Sequence, residues 1–163
     1  MKNKYLFIKL FKLVFILILM SQILYSCKNK NKIIFSKEVV FINNLWEKDH
    51  TLSFLFQITD TSAKYDALIK VMLDTNYTFN TFVYSINLIT PDGSLRQFGF
   101  QTDIKDYDNN IELPIIGDSW LIDKKVFEDI KFNKYGQYKI ELKHNMQLDL
   151  FFVKSVELII SKK

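Results

Sequence analysis

Leu52-Ser53-Phe54-Leu55-Phe56-Gln57-Ile58, then Thr59-Asp60-Thr61-Ser62, then Tyr65-Asp66-Ala67-Leu68-Ile69-Lys70-Val71-Met72-Leu73 is the stretch that decides the fold. Leu52, Phe54, Phe56 and Ile58 recur every second residue, so an extended chain carries them all on one side. Asp60-Thr61-Ser62 is a turn, because short polar side chains there bond to their own backbone and compete with any regular ladder. Beyond it Tyr65, Ala67, Ile69, Val71 and Leu73 alternate again. A helix would repeat its apolar positions every three or four residues, and neither segment does.

The same period extends outward from these two strands. Phe82, Tyr84, Ile86 and Leu88 lead into Pro91-Asp92-Gly93, a hairpin signal in which proline fixes φ and glycine accepts a positive one. Residues 95–101 return with Phe98 and Phe100 on one side. Tyr138, Ile140, Leu142, His144 and Met146 alternate late in the chain, residues 151–160 read as the last strand, and residues 33–41 as the first. Residues 103–131 lack sustained alternation and read as a long excursion with a short strand near 112–116. Seven or so strands with short polar turns predict an all-β fold, an antiparallel β-sandwich of immunoglobulin-like or jelly-roll-like type. The stretch from Phe132 to Tyr138 matches the entry to a late sandwich strand, where a tyrosine hydroxyl bonds back to the preceding chain or simply packs in the core.

The amino end is of another kind. Lys2, Lys4, Lys9 and Lys12 precede the apolar run Leu13–Met20, and Leu24-Tyr25-Ser26-Cys27 follows. A basic segment and then a short apolar helix form a secretory signal. An aliphatic residue three positions before a cysteine, with a small residue just before it, looks like a lipobox. The fifteen residues from Leu13 to Cys27, interrupted by Ser21 and Gln22, are too few to span a bilayer core that needs about 20. The expected organisation is a signal peptide over 1–26, a lipidated tether over 27–32 and one β-sandwich domain over 33–163. Acylation of Cys27 with palmitate-type chains would make the bilayer its first partner. It would also account for the single cysteine, since a thioether leaves neither a free thiol nor a disulfide.

Charge excludes further classes. The net charge of +4 comes from the four signal lysines; the remainder carries 18 bases and 18 acids. Such a balance gives no counterion-release drive toward nucleic acid. Arg96 is the one arginine, so bidentate capture of phosphate or carboxylate has little to work with.

The chemistry-bearing residues are few. No G-x-S-x-G elbow, Walker or dinucleotide glycine pattern occurs. His50 and His144 have no partner at metal-ligand spacing, and His144 falls in register with an apolar strand face. Asp106-Tyr107-Asp108-Asn109-Asn110-Ile111-Glu112 begins like a calcium loop, but Ile111 and Gly117 stand where glycine and glutamate are required. The expectation is no enzyme, no metal and no cofactor. Trp46 and Trp120 fall in or beside predicted loops and are the candidate partner or ligand contacts, against ordinary packing beneath a loop.

Several short segments, in order and spacing, carry a family resemblance. Asn44-Leu45-Trp46, Phe54–Thr61 with Tyr65, Tyr77–Phe82, Pro91-Asp92-Gly93, Gly117 with Trp120, Gly136-Gln137-Tyr138 and Val153–Leu158 resemble the gliding motility lipoprotein H (GldH) family of the Bacteroidetes. The resemblance implies a non-enzymatic lipoprotein of the cell envelope, anchored to the inner or outer membrane and facing the periplasm. It implies a part in gliding motility and in the linked type IX secretion machinery, with other envelope and gliding proteins as partners. The alternative is a lipid-tethered module that binds glycan or another small ligand, its motility role lost.

Overall fold

A computed structural model describes residues 32–105, 108, 110 and 113–163. Eight long strands carry the fold: β1 (Lys32–Val40), β3 (Leu52–Ile58), β4 (Tyr65–Asp74), β5 (Thr81–Ile89), β6 (Leu95–Asp103), β8 (Ser119–Ile130), β9 (Gly136–His144) and β11 (Val153–Lys162). Three two-residue strands, β2 (Leu45–Trp46), β7 (Ile115–Ile116) and β10 (Leu150–Phe151), lie in the connections. The one helical element among the described residues is a 3-10 turn at Ile42–Asn44. Asn31–Lys163 forms one compact unit.

Pairing follows a simple rule. Among the long strands the first pairs with the last (β1 with β11), the second with the seventh (β3 with β9), the third with the sixth (β4 with β8) and the fourth with the fifth (β5 with β6), all antiparallel. One long eight-stranded hairpin has thus been rolled up, leaving sheets of order β1-β11-β4-β8-β7 and β3-β9-β5-β6. Of the two expected sandwich types this is the jelly roll.

The inward faces are the alternating residues read from the sequence. Phe54, Phe56 and Ile58 of β3, Phe82, Tyr84 and Ile86 of β5, and Tyr138, Ile140 and Leu142 of β9 lie against Ile69, Val71 and Leu73 of β4 and Val156, Leu158 and Ile160 of β11, all buried. Rings close both open sides of the sandwich: Phe35 of β1 meets Phe56 of β3 at 6.0 Å, and Phe98 of β6 meets Phe127 of β8 at 4.8 Å.

Two tyrosines lock strand entries. The Tyr138 hydroxyl donates to the Lys134 carbonyl at 3.1 Å and accepts from the Lys134 N–H at 3.3 Å. At the start of β4, the Tyr65 hydroxyl donates to the Asp60 carbonyl at 2.6 Å.

The long excursion expected over residues 103–131 is corrected. Ser119–Ile130 is a twelve-residue strand inside the larger sheet, paired with β4 over most of its length. Its pairing slips twice: Leu68 opposes Lys125 whereas Ala67 opposes Phe127, and Tyr65 then opposes Ile130. Each slip is a β-bulge, an extra residue that flips the inward face. Trp120 and Ile122 are therefore in phase, but Val126 and Phe127 are buried in succession, and Asp129 takes a φ of 52°.

Candidate interaction surface

The rolled hairpin sorts the connections to two poles. β1, β4, β6 and β9 run toward the far pole, which gathers residues 41–51, 75–80, 104–105, 113–118 and 145–152 of the connections. The near pole, where β1 begins, gathers residues 59–64, 90–94 and 131–135.

Trp46 organises the far pole from inside. It is fully buried, stacks on Phe41 at 5.2 Å and meets His144 edge-on at 5.0 Å. Its indole N–H donates to the His50 carbonyl at 2.8 Å, and its backbone lies opposite Leu150 in the short β2–β10 ladder. His144 is also fully buried, at the end of the inward face of β9, and its Nε2–H donates to the Glu47 carbonyl at 3.1 Å. Burial pushes the His144 pKa below the usual histidine value, outweighing that bond, so the ring is held neutral.

These buried anchors turn apolar side chains outward. Leu150 faces in, so Phe151 faces out and is 57% exposed. Phe152 follows with a φ of 69°, a left-handed conformation rare for a bulky residue, and its carbonyl is pinned by the Asp74 N–H at 2.8 Å. Leu148 and Ile42 are exposed beside the same loops, Ile42 at 85%. Phe79, Thr78, Leu148, Asp149, Phe151 and Phe152 line an open, mainly apolar cleft of about 320 Å³. Ile115 and Ile116 expose two more aliphatic side chains at the β7–β8 hairpin. Grouped exposed apolar side chains of this kind mark contact surfaces more often than scattered ones do.

Polar groups tie the pole together. Lys154 reaches Asp118 at 2.8 Å, Asp74 at 3.5 Å and the Ser119 hydroxyl at 2.8 Å. Hydrogen bonding from Lys154 holds the Asp118 carboxyl below the ordinary carboxylate range. The Asp149 carboxylate accepts the Lys48 backbone N–H at 2.8 Å.

The sequence-predicted contacts sit elsewhere than expected. Trp46 and Trp120 are both buried, so neither indole reaches a partner across the surface. Each belongs to a short ladder, Trp46 opposite Leu150 and Trp120 opposite both Leu73 and Ile115, which turns it inward. Cys27 lies outside the described residues, as does most of the acidic segment 106–112. Among the described residues no cluster of three or more His, Cys, Asp or Glu could hold a metal, and no helix is long and apolar enough to cross a membrane. The exposed Phe151-Phe152 pair was missed because residues 151–160 read as one strand. Its signal was present, since two successive aromatics cannot both face inward from a regular strand.

Fold and surface together define a small all-β domain that buries aromatic residues toward both poles and exposes a group of apolar side chains at one of them. The chain belongs to the GldH lipoprotein family, whose family model matches residues 33–159. It is similar to the gliding motility lipoprotein GldH of Flavobacterium johnsoniae, at 26% identity over 132 residues, covering 78% of this chain and 77% of that protein. A lipoprotein family implies a membrane-anchored protein of the cell envelope. Solved structures with some likeness include a cellulose-specific carbohydrate-binding module of family 28, at 12% identity and a TM-score of 0.44, covering 76% of this chain and 69% of that one. A family 115 glucuronidase matches at 10% identity and a TM-score of 0.43; 79% of this chain is covered, but only 18% of the enzyme.

Proposed function

We propose that this chain is a non-enzymatic accessory component of the gliding apparatus and its associated type IX secretion machinery. In this reading residues 1–26 are removed as a signal peptide, acyl chains on Cys27 fasten the tether 27–32 to the periplasmic side of an envelope membrane, and the domain 33–163 binds other envelope proteins. The observation that carries it is the family match over residues 33–159, which begins six residues after the cysteine of Leu24-Tyr25-Ser26-Cys27. The far pole supports the binding role: its cleft is lined mostly by apolar carbon, with one threonine and one aspartate to meet polar groups. A sugar would need more donors and acceptors than that, so a protein partner fits better than a glycan.

Replacement of the F. johnsoniae relative by this chain tests the proposal. The wild-type chain is expected to restore spreading and secretion. Cys27→Ala is expected to lose fatty-acid labelling and function together. Ile42→Glu with Phe151→Glu is expected to lose function while the protein stays folded and labelled. Unimpaired spreading and secretion in the strain lacking the relative would overturn the motility assignment. Full rescue by the double variant would overturn the role of the far pole.

A further inference from the structure

The two poles of the sandwich differ in charge as well as in polarity. The strand ends at the near pole carry Lys32, Arg96, Lys125, Lys162 and Lys163 against Asp66, Glu128 and Asp129, and its connections carry Lys64, Lys131 and Lys134 against Asp60 and Asp92. Both acids of the connections are already occupied, Asp60 by Lys162 at 2.6 Å and Asp92 by Lys134. Lys64 and Lys163 share Asp129, and among the described residues Lys32 and Lys131 have no acidic partner. The far pole reverses the balance: among the described residues Glu47, Asp49, Asp74, Asp103, Asp108, Asp118 and Asp149 outnumber Lys48, Lys105, Lys143 and Lys154, the last two already paired with Asp49 and with Asp74 and Asp118. Residues 27–163, which balance 18 bases against 18 acids, are therefore polarised along their strands.

Two further observations say what the basic pole meets. Tyr135, at the tip of the 131–135 connection between Lys134 and Gly136, is 68% exposed, and a tyrosine among lysines is the side-chain pairing favoured at the headgroup level of a bilayer. Only five residue steps separate Cys27 from Lys32, so even a fully stretched tether holds the start of β1 within about 18 Å of the acylated residue. The basic pole is thus confined beside the membrane, and the acidic, apolar pole is the one the tether leaves free.

We propose that the lysine-rich pole docks on anionic phospholipid headgroups as a second, reversible membrane contact, and that this contact orients the domain with its far pole directed away from the bilayer. The proposal rests on Cys27 acylation and adds to it the two-signal logic by which one lipid anchor and a cationic patch reinforce each other.

The lipidated protein, purified from membranes and reconstituted into phosphatidylcholine vesicles with or without phosphatidylglycerol, provides the test. A water-soluble amine-acylating reagent, read by mass spectrometry, reports each lysine. With phosphatidylglycerol present, Lys131, Lys134, Lys162 and Lys163 are expected to be labelled roughly threefold less or lower still, and high salt should abolish the difference. Lys48 and Lys105 should not change. Lys131→Glu with Tyr135→Ser, neither of which removes an ion pair, should restore labelling of the remaining near-pole lysines. Equal labelling of both poles on the anionic vesicles, or protection of the far pole, would overturn the proposal. The mass of the amino-terminal peptide reports Cys27 acylation in the same experiment, so loss of the anchor is told apart from loss of the docking.

Discussion

Tyr138 and Tyr77 are both buried, yet their hydroxyls are in opposite situations. The Tyr138 hydroxyl exchanges two hydrogen bonds with the Lys134 backbone, whereas the Tyr77 hydroxyl has no partner and its pKa is raised by burial alone. Tyr138→Phe should therefore cost about 1–2 kcal/mol, while Tyr77→Phe should be neutral or stabilising by up to about 1 kcal/mol, as measured by chemical denaturation. His144 sets a pH dependence. Its folded-state pKa lies below the unfolded value, so an unfolded chain binds the extra proton. The stability that its neutral ring contributes is complete above about pH 7 and is lost as pH falls through 6.5 toward the folded value. His144→Gln, which keeps a donor for the Glu47 carbonyl, should flatten denaturation midpoints between pH 7 and 5. An unchanged slope would show that the ring is not the titrating group. The carboxylates act lower: hydrogen bonds from Lys162 and Lys134 hold Asp60 and Asp92 below their ordinary range, so their contribution is present above about pH 4 and fades beneath it. At this scale the sequence was readable where a residue lay in phase with its strand, as with Tyr138 and His144. It left Trp46 and Trp120 open between surface contact and packing beneath a loop, because whether a loop tryptophan faces in or out depends on pairing partners about 100 residues away for the first and about 50 for the second.

Elements show the same division. β3, β4, β5 and β9 are legible because unbroken two-residue alternation needs nothing but the pleat. β8 was not, because its two bulges are imposed by the register of β4, and each extra residue erases the pattern that would have announced a strand. A substitution tests another local constraint. Gly136 opens β9 with a φ of 129°, and a Cβ there would lie 3.1 Å from a Pro91 ring carbon. Gly136→Ala should cost about 1–3 kcal/mol through backbone strain and that contact, visible as a lower thermal midpoint. Gly99, within β6, has open space where its Cβ would be and no unusual φ, so Gly99→Ala should be close to neutral and serves as the control.

For the molecule as a whole, the sandwich followed from strand count and turn spacing, but the choice of a jelly roll did not. Pairing first strand with last is a long-range decision that no local pattern records. The polarity of the domain was hidden for a related reason: the acids and bases of the chain nearly cancel in sequence, and only the alternating strand directions send them to opposite ends. Contact order predicts slow folding, on the millisecond-to-second scale, with β1 unable to dock until β11 exists; stopped-flow refolding followed by fluorescence of the buried tryptophans measures it.

The β1–β11 ladder has a mechanical meaning. β1, the strand nearest the anchor proposed at Cys27, runs lengthwise to the far pole and is bonded alongside β11 from Lys32↔Lys162 to Val40↔Ser155. Tension entering at residue 32 and leaving through the opposite loops would pull along those strands, loading the bonds together in shear instead of peeling them apart singly. With Cys27 acylated as proposed, a domain threaded in this way would carry traction between the bilayer and a protein gripping its far pole.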